Sequence, residues 1–200
     1  MSITEEKKLE ILYDHYKDTS LNVKEYIKQR DKIFVFLIIV IFILFLQLSF
    51  SNQSLSALNK FIENKIGFNF YFSEEFFNGV LWFILFSFLL RYSQINVLIN
   101  RQYDYLHSVE DCICIKASKK NYIRREGHEY LKNYPFLSEW AHIVYTWIFP
   151  ILLIFILFIK IVMEIKITKK HGISIYFDGI IFLLIFLTVV LYLVNIHRKR

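Results

Sequence analysis

Three groups of residues in this chain have types and spacings that could do chemistry. The first is a basic and aromatic cluster in which Lys116, Lys119, Lys120, Arg124, Arg125 and Lys132 interleave with Tyr122, Tyr130 and Tyr134. Cationic side chains bind phosphate and aromatic faces stack bases, so a nucleotide or single-stranded oligonucleotide is one natural ligand. Anionic lipid head groups would satisfy the same charges, and both readings stand at this point. The second group, Ser87, Arg91, Gln94 and Arg101, falls within about 40° of one line on a helix turning 100° per residue. Leu98 and Tyr105 continue the line. Such a stripe could line an aqueous path between copies of the chain, with Arg91 and Arg101 as an inner electrostatic gate; hydrogen bonding between helices is the alternative. The third group is Lys160 with Glu164, i,i+4 partners that could pair with each other or with Asp178 and that mark the outer end of an apolar segment.

Catalytic patterns are missing. No Ser-centred nucleophile elbow, H-E-x-x-H, Walker loop or dinucleotide fingerprint occurs. Cys112 and Cys114 form a C-x-C pair without a second pair, and His107 and His128 match no familiar zinc spacing. The expectation is a non-enzyme with no catalytic residues, no metal and no cofactor.

These groups are embedded in a chain too greasy to bury its own surface. Hydrophobic residues make up 56% and aromatic residues 18% of 200 positions, yet charged residues remain at 21%. Charge is therefore segregated, which is the pattern of an integral membrane protein. Ile33 to Leu46 is an unbroken run of 14 apolar residues. Extended through Phe50 it gives about 27 Å of helix, close to the roughly 30 Å of a hydrocarbon core. Further runs cover Phe76–Leu90, Trp140–Ile159 and Ile175–Ile196. The expected fold is an all-α integral membrane protein with four transmembrane helices.

Lys and Arg set its orientation. Seven precede the first run, eight lie between the second and third, and three end the chain, which leaves six of the 24 for the other side. The positive-inside rule then puts both termini in the cytoplasm (N-in/C-in). The reading divides the chain into a cytoplasmic amphipathic helix at 1–31, a transmembrane hairpin at 32–98 with an outer interfacial segment at 51–75, a cytoplasmic helical region at 99–139, and a second hairpin with a basic tail at 140–200.

Leu9, Leu12, Tyr16, Thr19, Val23 and Tyr26 recur at steps of three and four, as an amphipathic helix requires. After the second run, Ile95, Leu98, Gln102, Tyr105, Val109 and Cys112 or Ile113 make another stripe. These stripes predict a cytoplasmic helical bundle formed by the N-terminal helix and the connection between spans two and three. Pro150 should break the hydrogen-bond ladder in mid-span and kink it. Phe77-Asn78-Gly79-Val80-Leu81 and Phe177-Asp178-Gly179-Ile180-Ile181 are related by a shift of 100 residues, as are Tyr92 and Tyr192. Asn78 and Asp178 are read as helix caps.

An amphipathic helix runs into span one, a span-two helix projects into the cytosol, and that helix carries Arg101-Gln-Tyr-Asp-Tyr-Leu-His-Ser-Val-Glu110. In this layout the chain resembles small multi-span membrane effectors of bacterial anti-phage defence, of SLATT-like or Hailong-type channel kind. Its additional two spans depart from a two-span SLATT pattern. The resemblance implies a homo-oligomeric pore in the lipid bilayer, gated by a cytoplasmic nucleotide-derived ligand, that depolarises an infected cell. The alternative is a membrane anchor or scaffold subunit that docks a soluble partner encoded nearby.

Overall fold

The computed structural model describes residues 4–49, 56, 59–61, 63–65, 73–116, 137, 140, 143–167 and 173–198. Apart from Thr4 and Ser73, every one of these is helical. The long elements are α1 (Glu5–Ser49), α2 (Glu74–Lys116), α3 (Phe149–Ile167) and α4 (Ile173–Arg198), with a π-helical turn, Val144–Ile148, leading into α3. Among the described residues three helical stretches are long and apolar enough to cross a membrane: Glu74–Ile115, Val144–Lys166 and Ile175–Ile196.

Local chemistry accounts for where α2 begins. The Ser73 hydroxyl accepts a hydrogen bond from the Phe76 amide at 3.2 Å, as an N-cap does, and Glu74 and Glu75 place negative charge on the first turn. Asn78 is thus already inside α2, and Asp178 lies more than a turn inside α4, so neither is the cap that its position beside an apolar run suggests. Pro150 lies nearer the start of its apolar stretch, Val144–Lys166, than the middle. It is the second residue of α3, and the turn ahead of it has π spacing. Proline has no amide hydrogen and its ring collides with the carbonyl four residues back; a wider turn removes that collision.

The chain divides into two compact units. One comprises Ile33–Ser93 with Tyr145–Arg200. Its apolar core is built from Leu37, Val40 and Leu44 of α1, Leu81, Trp82, Leu85, Leu89 and Tyr92 of α2, Leu153 and Leu157 of α3, and Ile181, Ile185 and Val189 of α4. At one end of this core Phe34 meets Phe149 edge-on at 4.7 Å and Tyr145 at 5.0 Å. The outward positions are apolar as well: Phe42, Phe83, Phe155, Leu183 and Leu191 are all exposed. Helices that are apolar all round belong in hydrocarbon.

The shift of 100 residues is repeated in the packing. Positions 78, 81, 85, 89 and 92 of α2 are buried, and so are 178, 181, 185, 189 and 192 of α4. Asn78 meets Asp178 and Trp82 meets Phe182, so equivalent residues touch in the same order and the two helices run parallel there.

The other unit comprises Met1–Lys32 with Gln94–Val144. Tyr16 and Val23 of α1 bury against Leu106, Val109 and Ile113 of α2, with Leu9, Leu12, Ile27 and Tyr103 packed around them. The Tyr16 hydroxyl donates to Glu110 Oε1 at 2.9 Å inside this small core. The α1 stripe is the one its spacing predicts from Leu9 to Val23, after which Ile27 rather than Tyr26 packs into the core. On α2 the buried apolar set is Ile95, Ile99, Leu106, Val109 and Ile113; Ile95, Val109 and Ile113 belong to the expected stripe, whereas Leu98 and Gln102 are half-buried and Tyr105 is exposed. Burying Leu106 in place of Tyr105 keeps a further hydroxyl out of a core that already holds the Tyr16–Glu110 pair.

Candidate functional site

The candidate site forms where α2, α3 and α4 bring polar side chains together inside the apolar unit. Lys160 is 1% exposed, Asp178 3% and Asn78 9%. The Lys160 ammonium donates to Asn78 Oδ1 at 2.9 Å and to the Glu164 carboxylate, and lies 5.1 Å from the centre of the Trp82 ring. Asn78 in turn donates through Nδ2 to Asp178 Oδ2 at 2.8 Å. The amide therefore serves as a two-way connector: its oxygen faces the cation and its nitrogen faces the anion. Asp178 Oδ1 is buried without a hydrogen-bond partner, beside Gly79. Glu164 is the member nearest the surface, its side chain 15% exposed.

Each member is positioned by an element whose other faces are greasy. Lys160 follows Leu153 and Leu157 on the buried side of α3, and Glu164 comes one turn later on the same face. Asn78 precedes Leu81 on α2, and Asp178 precedes Ile181 on α4. Gly79 lets the parallel helices approach: a Cβ there would sit 3.3 Å from the Phe177 ring, whereas one on Gly179 would meet nothing within 4 Å. An unpaired charge in such surroundings costs several kcal/mol, so the hydrogen-bonded arrangement is what makes three ionisable groups tolerable here.

The spacing of Lys160 and Glu164 predicts their pairing, which forms, and the expected alternative partner Asp178 is reached through Asn78; the reading of the pair as a boundary marker misses its burial and the part played by Asn78. Asn78 and Trp82 escape the sequence reading as site residues. The available signal was the repeat itself, which sets Asn78 opposite Asp178.

The stripe on α2 lies elsewhere. Ser87, Arg91, Gln94, Arg101 and Tyr105 are exposed, with Leu98 half-buried, while Leu85, Leu89, Tyr92 and Ile95 are buried on other sides of the helix. Ser87 turns its hydroxyl back to the Phe83 carbonyl at 2.9 Å. On α4, Thr188 makes the same internal bond to Leu184 at 2.8 Å. Lys116 ends α2, and Lys119, Lys120, Tyr122, Arg124, Arg125, Tyr130 and Lys132 lie outside the described residues. Among the described residues no group of three or more His, Cys, Asp and Glu side chains gathers to hold a metal ion.

Comparisons of the chain with protein-family models, with curated proteins and with solved structures found no match.

Proposed function

We propose that this protein is a non-enzymatic membrane effector whose copies assemble into an ion-conducting pore, opened by a cytoplasmic ligand or partner. In this reading it crosses the bacterial inner membrane four times, with both termini and a helical bundle in the cytoplasm. The fourth span is the apolar part of α1 from Ile33 onward, which shares one core with the three helices already apolar enough to cross. The role in anti-phage defence rests on the resemblance of layout alone.

The observation that carries the pore is the outward face of α2. Ser87 and Arg91 point away from the core of their own chain, beside exposed Phe83 and Leu90. The Ser87 hydroxyl is satisfied within its own helix, but a guanidinium facing hydrocarbon costs a few kcal/mol unless protein or water covers it, and both coverings arise when several copies surround an aqueous path. Purified full-length protein in a planar bilayer passes current under this reading, and Arg91→Leu alters its conductance or ion preference. A monomeric particle that stays silent with nucleotides and oligonucleotides supplied would overturn it.

A second reading, an anchor that docks a soluble partner, is favoured by exposed Ile11, Tyr13 and Leu21 on α1. In that case a partner co-purifies, and Arg91→Leu leaves function unchanged.

A further inference from the structure

The charges of the buried cluster do not balance. Lys160 contributes one positive charge when ionised, Glu164 and Asp178 one negative charge each, and Asn78 none. Two of the ammonium's three N–H groups have acceptors, Asn78 Oδ1 and Glu164, and the Trp82 ring lies beside it. The surplus negative charge is left with Asp178, one of whose oxygens has a single donor while the other has none.

The groups that face this cluster come from every helix packed around it. From α3 come Lys160 and Glu164, and from α2 Asn78 and Trp82; the charged residues nearest on α2, Glu74 and Glu75, are exposed on its first turn. On the part of α1 that belongs to this unit, the buried polar residue among those described is Gln47, an amide without charge. Nothing among the described residues supplies a second positive charge.

We infer that the Lys160–Glu164–Asn78–Asp178 network is a binding site for one unit of positive charge, a proton or an alkali cation, that enters past Glu164 and is held at Asp178. A net charge buried in an apolar unit costs far more than a neutral network, so the folded state takes up the missing charge from solvent. Glu164 is the entrance because it alone of the ionisable members reaches the surface. The proton, if that is the ligand, belongs to the network as a unit rather than to one carboxyl group. The inference does not rest on conductance, and a silent bilayer leaves it standing.

The test uses the full chain in neutral detergent, unfolded thermally across a range of pH in choline chloride and again in sodium chloride. If the ligand is a proton, the folded state holds one more proton than the unfolded chain, in which both carboxylates are ionised and the lysine is protonated. Stability then falls as pH rises, the unfolding constant growing by up to about ten-fold per pH unit. Asp178→Asn and Glu164→Gln each balance the charges and abolish that slope, while Asp18→Asn, on the exposed side of α1, keeps it. If the ligand is sodium, stability rises with sodium but not with choline, and Asp178→Asn loses the response. Infrared spectra of the folded protein provide a readout that does not depend on unfolding: a protonated-carboxyl band at neutral pH, lost in either variant, is the proton outcome. Absence of that band, together with equal pH and sodium responses in the parent and Asp178→Asn, overturns the site.

Discussion

Asn78 and Asp178, one hundred positions apart in the chain, face each other at 2.8 Å, and the same amide accepts from Lys160 at 2.9 Å. Positions 78 and 178 of the two similar stretches thus differ, amide in one and acid in the other, and that difference is what allows them to bond. Two acids at this point would repel, and two amides would leave the lysine with less negative charge around it.

The pair can be exchanged. Asn78→Asp alone adds a third carboxylate to the cluster, and Asp178→Asn alone removes one. The single Asn78→Asp change should destabilise the protein by about 3 kcal/mol, the scale of an uncompensated buried charge. The double change Asn78→Asp with Asp178→Asn preserves both net charge and contact and should recover most of the loss. A double-mutant cycle from thermal unfolding measures the coupling, and a coupling near zero would show that the two residues do not act as a pair.

Lys160→Met keeps most of the stem of the side chain and deletes its charged head, leaving two carboxylates with no cation. A loss of about 3–5 kcal/mol is expected. Adding Glu164→Gln and Asp178→Asn to Lys160→Met should restore stability close to that of the parent, because an uncharged network needs no counter-charge. Failure of the triple variant to recover would indicate that packing of the lysine stem, rather than its charge, dominates.

The two glycines of the repeat should respond differently. At Gly179 a new Cβ meets open space, so Gly179→Ala should gain up to about 1 kcal/mol through helix propensity. At Gly79 the Phe177 ring stands 3.3 Å from where that carbon would be, so Gly79→Ala gains less and Gly79→Leu is disruptive. Unfolding midpoints of the three variants make the comparison, and equal responses at Gly79 and Gly179 would contradict the close approach of α2 to α4.

In the other unit, Tyr16→Phe deletes the hydroxyl that reaches Glu110. Loss of one buried hydrogen bond to a carboxylate should cost about 1.5–3 kcal/mol. Hydrogen exchange would register this as faster exchange at 9–27 and 103–113, the segments that share that core. Unchanged protection there would show that the contact carries little of the unit's stability.

Composition and hydropathy made the all-helical membrane class legible before any coordinates. The stripe Leu9, Leu12, Tyr16, Thr19, Val23 on α1 was legible too, because one face of that helix is far more apolar than the rest. On α2 the choice between Tyr105 and Leu106 could not be made from periodicity, since apolar residues occur on several sides and the answer depends on which face α1 covers. The buried network was illegible for a related reason. Lys160 sits in an apolar run that is greasy all round, so nothing in the run states which side is inside, and an ion pair at i,i+4 reads the same whether wet or dry. Only three-dimensional proximity distinguishes a boundary lysine from an interior one.

The π turn at Val144–Ile148 acts as a phase adjuster. A π turn fits one residue more into each hydrogen-bonded ring than an α turn, so everything after it is rotated by about 100° from where an uninterrupted helix would aim it. Lys160 is aligned with Asn78 under that offset. Excising one residue from the turn would scarcely alter length, charge or greasiness, yet it would swing the ammonium away from its acceptors: the partnership is timed by a miscount upstream.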